Sequence, residues 1–504
     1  MPGLRGRAAR PALAAFLAVA SLATAVAGAA APAPDGPGAL SHFGLARKDC
    51  LGTARNTTSK TWYTVADGVL SDVYYPTADN TNVETLQYVV TDGSTFTDLQ
   101  TRDMTYAVRS LDPGGMECRV TTTAKSGKYR LVTDYVTDPV RDAVLMRTTF
   151  EPIVGPAGQY RLYVRLDSTV NGNGGGGAGN GGGDSGTVDT STGHPVLIAS
   201  DTVTTTNAAN RDYAQPVHIA LDASTPLTEV TNGFVGTASD GLTQLDAAHA
   251  LTATYTDASN GNLVQTARAP LGGGSTTFTL ALGFGSSQAD AVDTATDSLS
   301  AGFPAARKAY EAGWAAYDET LKQPPAHFPG ISNPRWKDLV ADYFLSANVV
   351  KASEDKTFPG AIVASLASPW GQAVSAGDPN NTYFGSYREI FSRDLYEAWT
   401  ALLVDGDLAT ARDTVRFLFE RQQLADGSMP RNSLVNGKLA PDSFGTQLDE
   451  TAYPILMAYQ LGMTDLYADH VKRAAYFLIA HGPAFGVERW EEQDGYSPST
   501  IAAE

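Results

Sequence analysis

Two hydrophobic rhythms divide this chain near residue 300. From about residue 41 to 285, apolar and polar residues alternate in short runs such as "TWYTVADGVLSDVYYP", "LQYVVTDGSTFTDLQ", "YRLVTDYVTD", "AVLMRTTFEP", "YRLYVRLDST", "VHIALDA" and "TTFTLALGFG". β-branched and aromatic residues dominate these runs and Asp-Gly turn signals separate them, so each reads as a strand with one buried face. Many such strands in order predict an antiparallel all-β domain, most simply a large sandwich. The stretch "NGNGGGGAGNGGGDSG" interrupts the strands as a surface loop. It lacks the Lys-Ser/Thr ending of a phosphate loop.

Beyond residue 300 the period lengthens to 3.6. After a connecting helix in "SLSAGFPAARKAYEAGWAAYDETLKQ", the segments "PRWKDLVADYFLSANVVKASED", "RDLYEAWTALLVDG", "DLATARDTVRFLFERQQ", "TQLDETAYPILMAYQLG" and "TDLYADHVKRAAYFLIAHG" each show a helical stripe. Several end on glycine, a common helix stop. The longer loops between them hold "PWGQ", "GSYREIFSRD", "DGSMPRNSLVNGK" and "ERWEEQDGYSP". Short helices in series with polar and aromatic residues in alternate loops suggest an α/α toroid. Another all-α bundle would leave the same compositional trace.

The N-terminus changes the picture. Arg5, Arg7 and Arg10 precede an apolar run, "ALAAFLAVASLATAVAGAA", that offers Ala25-Val26-Ala27 as a cleavage site. This is the layout of a secretory signal peptide. The alternative, a membrane anchor, fits less well, because the apolar core is short for a span and gives way to "APAPDGPG". The expected organisation is a signal peptide over 1–30, a linker over 31–40, the β-sandwich over 41–300, a helical linker over 301–330 and a helical domain over 331–504, in a secreted protein. A net charge of −18 argues against nucleic acid or an anionic membrane as partner. Two cysteines, Cys50 and Cys118, leave open a disulfide or two buried thiols.

Acetal cleavage needs a general acid and a second carboxylate, and sugar hydroxyls need bidentate donors and acceptors beside a flat aromatic ring. "FSRDLY" supplies Arg393 and Asp394; "RWEEQ" supplies Trp490, Glu491 and Glu492. A Glu491 facing a dry pocket beside Trp490 would keep its proton for donation. Each fragment also has a plainer reading. Arg-Asp at a helix start serves as a cap or surface pair, and adjacent glutamates are usually solvated. Asp449-Glu450 in "QLDE" sits near a helix start, where capping competes with ligand contact. Trp370 serves equally as core or sugar platform, and His481 before Gly482 reads as a helix C-terminal residue.

The order of these motifs resembles glycoside hydrolase family 15, the glucoamylase and glucodextranase family. "FGLARKDCLGTARNTTSKTWYTVADGVLSDVYYPTADNTNVETLQYVVTDG" and "FVGTASDG" resemble its N-terminal domain. "YREIFSRDLYEAWTALL", "DGSMPRNSLVNGK", "QLDETAYPILMAYQLG" and "ERWEEQDGYSPSTIAAE" resemble its barrel loops. The resemblance implies an antiparallel β-supersandwich followed by the first half of an (α/α)6 barrel. It implies Glu491 as general acid, Glu492 as a substrate-binding acid, Arg393 and Asp394 as the holders of the terminal glucose, and Tyr387 near the reacting carbon. Phe391 stands where many members have tryptophan, which touches linkage preference more than chemistry. Members invert configuration, as fits a carboxyl pair roughly 6.5–9.5 Å apart.

From Pro334 onward five helices and the start of a sixth are expected, the sixth capped by Ser497 with Pro498 at its first position. The resemblance places the catalytic base later than Glu504. The chain is therefore expected to be a fragment with half a barrel, exposed apolar helix faces and little hydrolysis. The function implied is that of an exo-acting inverting α-glucosidase releasing β-glucose from α-glucans or malto- and isomalto-oligosaccharides. A glucodextranase acting on α-1,6 bonds and a non-catalytic carbohydrate-binding remnant are the alternatives, with trehalose a weaker substrate. No cofactor is implied, and structural calcium stays open because no acidic loop has a defensible ligand spacing.

Overall fold

The computed structural model describes residues 31–504 apart from 40, 42, 43, 46, 113, 173–182, 205–208, 368–373, 376, 377, 383–385, 442, 444 and 488–494. The signal peptide, most of the glycine-rich loop, Trp370, Trp490, Glu491 and Glu492 thus lie outside the described residues.

Two large antiparallel sheets form the β part. The first runs in the order Cys50–Thr53, Trp62–Ala66, Val69–Tyr74, Val83–Thr91, Arg161–Ser168, Leu263–Ala269, Thr228–Phe234, with Thr97–Leu99 paired to the fourth. The second runs Ala258–Gly261, Asp184–Asp189, Val196–Asp201, Val217–Ala223, Thr276–Gly285, Ala143–Pro152, Tyr129–Thr137, Cys118–Ala124, Met104–Ser110. The alternation read from the sequence is literal in Cys118–Ala124, where every second residue is buried. Tyr63, Leu70, Tyr88, Leu131, Phe150, Leu162, Ile219 and Leu282 meet between the sheets. Cys50 and Cys118 form a disulfide that joins the two sheets across a separation of 68 residues. Closing a loop of that size removes about 4 kcal/mol of chain entropy from the unfolded state.

The helix Gln288–Ala301, capped by Ser287, lies across the outer face of the second sheet and buries Ala291, Val292 and Ala295. Gly283 makes that approach feasible, since a Cβ there would sit 2.5 Å from the Ala295 nitrogen. The linker helix Phe303–Asp318 follows and buries Tyr310, Trp314 and Tyr317. Trp314 Nε1 donates to Thr53 O at 2.9 Å, so the linker is fastened to the sandwich.

The helical region comprises Asn333–Ala352, Ser392–Asp405, Leu408–Phe417, Leu448–Gln460, Lys472–His481 and the short Pro498–Ala503. Ser497 accepts from Thr500 N and Pro498 opens the last helix, as the capping signals predict. His481 ends its helix. Val404, Tyr459, Tyr476, Ile479 and Tyr496 stand exposed on this side. The two parts share one core: Trp62, Tyr74 and Ala78 of the sandwich pack with Ile390, Leu395, Trp399 and Val415. Trp62 Nε1 donates to Ala352 O at 2.8 Å across the junction. Lys356 is spent there on Ala54 O and Ser59 O at 2.6 and 2.7 Å, and burial pushes its ammonium down to about 7.

No helix among the described residues is long and apolar enough to cross a membrane. No group of three or more His, Cys, Asp or Glu among them is arranged to hold a metal ion.

Candidate active site

Two helix starts converge to build the polar centre. Ser392–Asp405 carries Arg393 and Asp394 in its first turn, and Leu448–Gln460 carries Asp449 and Glu450 in its own. Tyr396 and Tyr453 stack at 4.5 Å between ring centroids and set the spacing of the two helices. Neither helix has a side-chain cap from its N-cap residue, Phe391 or Gln447. The cap comes from across the gap: Glu450 Oε2 accepts the Arg393 backbone N–H at 2.9 Å. One orphan donor of a helix start is thereby satisfied by the neighbouring helix.

The same pair of helices makes a buried ion cluster. Arg393 Nη1 lies 2.9 Å from Asp449 Oδ2, 3.2 Å from Glu450 Oε1 and 3.0 Å from Gln447 Oε1. Both carboxylates are fully buried, while the Arg393 side chain stays 13% exposed. The hydrogen-bonded partners of Arg393 are thus on the second helix and not the adjacent Asp394. Successive helix positions point about 100° apart, so the arginine reaches acids from another helix instead. Its Nε and Nη2 make no hydrogen bond among the described residues, so part of the donor fork is left for a ligand.

Two buried acids share one guanidinium, so one carboxyl holds its proton. Burial pushes Glu450 up to about 8, with Arg393 opposing and Asp449 reinforcing the shift. Arg393 is raised: burial alone would lower it, but Glu450 and Asp449 outweigh that cost. Asp394 reaches solvent, yet the protein crowding its inner side raises its carboxyl by desolvation, with Arg393 opposing.

A stability test follows from Glu450. Its folded value near 8 exceeds the ordinary 4.5, so the folded state keeps a proton that the unfolded state has released. Its contribution is whole below pH 4.5 and is lost as pH rises through 8. Glu450→Gln is expected to gain on the parent by roughly 3 kcal/mol between pH 4.5 and 7, at about 1.4 kcal/mol per unit. Urea unfolding at several pH values measures this, and parallel stability curves for the two proteins would exclude it.

Around the cluster the loops form a polar and aromatic wall. Tyr387 is 38% exposed and meets Phe391 edge-on at 6.4 Å, and the Arg431 guanidinium lies 5.5 Å over the other ring. Ile390 and Ser433 exchange backbone hydrogen bonds at 2.9 Å, and Gln422 Nε2 donates to Ile390 O at 3.1 Å and Ser433 Oγ at 3.0 Å. Buried Glu389 accepts from Asn432 Nδ2. The structure thus sets Tyr387 against Phe391, the residue that precedes the helix bearing Arg393 and Asp394. Trp490, Glu491 and Glu492 fall outside the described residues. Sequence reasoning missed Gln447, Glu389, Asn432 and Gln422. The one signal for them is charged or amide residues set beside apolar ones within loops already singled out.

Residues 33–319 match the sequence family described as glucodextranase, domain N. The chain is 34% identical over 472 residues to a glucoamylase of Clostridium sp. (strain G0005), covering 94% of this chain and 61% of that protein. A crystal structure of a bacterial glucoamylase complexed with acarbose superposes with a TM-score of 0.82 at 32% identity, covering 94% of this chain and 64% of that one. The chain spans less than two thirds of the length of either relative.

Proposed function

This chain belongs to the bacterial glucoamylase and glucodextranase family, glycoside hydrolase family 15, and on that premise we propose that the full-length protein is a secreted, exo-acting, inverting α-glucosidase releasing β-glucose. The observation that carries the reading is the half-used guanidinium of Arg393. Its Nη1 is held by Asp449 and Gln447, while its Nε and Nη2 make no hydrogen bond among the described residues and the adjacent Asp394 is exposed. Such a fork suits vicinal sugar hydroxyls, which ask for two parallel hydrogen bonds. A similar protein, a bacterial glucoamylase, is complexed with acarbose in its crystal structure.

In this reading Arg393 and Asp394 grip the terminal glucose and Tyr387 flanks the anomeric carbon. Glu491 protonates the departing oxygen beside Trp490, and Glu492 holds hydroxyls. Water attacks the opposite face, activated by a second carboxylate. A specific observation favours glucodextranase as second reading, since the sandwich matches that enzyme's domain N. Both readings are tested by proton NMR of the first glucose released from maltose, isomaltose and trehalose. The expected product is the β-anomer, fastest from maltose. Faster isomaltose cleavage moves the assignment to α-1,6 bonds, and an initial α-anomer from the non-reducing glucosyl unit, beyond what the leaving sugar supplies, ends the inverting mechanism.

A further inference from the structure

Loops ordinarily run over the surface, because buried backbone must find partners. The sandwich loop over residues 77–82 does the opposite: Thr77, Ala78, Asp79, Asn80, Thr81 and Asn82 are each at most 2% exposed. Most of its polar groups bond within the sandwich, as Asn80 and Asn82 do with Tyr75 O, but two reach the helical side. Ala78 N–H donates to Asp355 Oδ2 at 2.8 Å, and Arg388 Nη1 donates to Thr81 Oγ1. A second sandwich loop does likewise, with Asn436 Nδ2 donating to Asn210 O at 2.7 Å and Asp212 Oδ1 at 2.9 Å. Tyr213 O–H donates to Asp79 and ties the two sandwich loops together.

Arg388 is the residue next to Tyr387. It is 1% exposed and bonded to Thr81 of the sandwich, while Tyr387 is 38% exposed and meets Phe391, two positions before Arg393. The intervening backbone is pinned from a third side: Ser365 N–H donates to Tyr387 O at 2.7 Å and Ala364 N–H to Glu389 O at 3.0 Å. The backbone that carries the Tyr387 ring to its edge-on contact with Phe391 is thus held on both sides.

We propose that Arg388 is a positioning residue for Tyr387, anchored to the sandwich through Thr81, so that the β-sandwich sets the geometry of the sugar site without touching the sugar. This rests on the α-glucosidase reading given above. It assigns the sandwich a part in the reaction distinct from glucan binding.

The test is Thr81→Val in the full-length protein, a nearly isosteric change that removes the hydroxyl. On maltose, kcat is expected to fall about ten- to a hundredfold with KM within about twofold, the cost of a misplacement of about 1 Å. Thr81→Ser restores kcat. Amide hydrogen exchange quickens in 386–392 and not across the rest of the helical region. Unchanged kcat and exchange overturn the proposal. So does a loss accompanied by faster exchange throughout the helices, which marks a merely structural contact. If Thr81→Val does not fold, Arg388→Lys decides, because lysine keeps the charge without the planar fork; wild-type kcat there overturns it. A wild-type protein that cleaves no α-glucoside sinks the functional reading alone, and the exchange pattern still decides whether Thr81 and Arg388 fix this segment.

Discussion

Glu491→Gln in the full-length protein is expected to lower kcat on maltose by about 10²- to 10⁴-fold, the usual worth of a positioned general acid. Glutamine keeps the size of the side chain but has no acidic proton to give to the departing oxygen. The loss therefore depends on how much help that oxygen needs. A glucosyl hydroxyl leaves poorly unprotonated, whereas fluoride leaves readily, so α-glucosyl fluoride should be spared by the substitution. The basic limb of the kcat/KM profile, set by the acid that must stay protonated, should vanish with it. Near-parental turnover on maltose would end the assignment. An equal loss on maltose and on the fluoride would also end it, since that pattern marks damage to binding or folding instead of missing proton transfer.

How far the sequence foretold this site depends on the range of each interaction. The sandwich was legible because a strand's period of two is a local property, visible in Cys118–Ala124. The last helix start was legible because Ser497 and Pro498 act within one turn. The charge cluster was legible only as a set of residue types. Arg393 and Asp394 are adjacent, which invites pairing them, but the arginine's partners arrive 54 to 57 positions later from a second helix start. Thr81 and Arg388 stand 307 positions apart, and a threonine in a polar loop carries no local mark of burial. The disulfide needed the fold as well: two cysteines permit a bridge, but only the stacking of the sheets brings their Cα atoms to 6.5 Å.

Arg393 is where the site's chemistry and the fold's electrostatics can be separated. Arg393→Met is expected to destabilise the protein by about 3–5 kcal/mol at pH 8, because it strips the shared cation from two buried carboxyl groups. Proton uptake relieves part of that cost, so the loss should be smaller at pH 5. Adding Asp449→Asn and Glu450→Gln should return most of the stability, since a neutral buried cluster no longer needs a cation. Activity should not return with it, because the donor fork is still missing. Arg393→Lys makes the complementary case: the charge is kept and stability changes by no more than about 1 kcal/mol, yet kcat/KM falls about a hundredfold as one ammonium replaces a planar fork. Urea unfolding and maltose kinetics on the same preparations measure both. If the lysine variant keeps its kcat/KM, or if the triple variant regains activity along with stability, Arg393 is a structural counter-ion and the sugar-binding role assigned to it is lost.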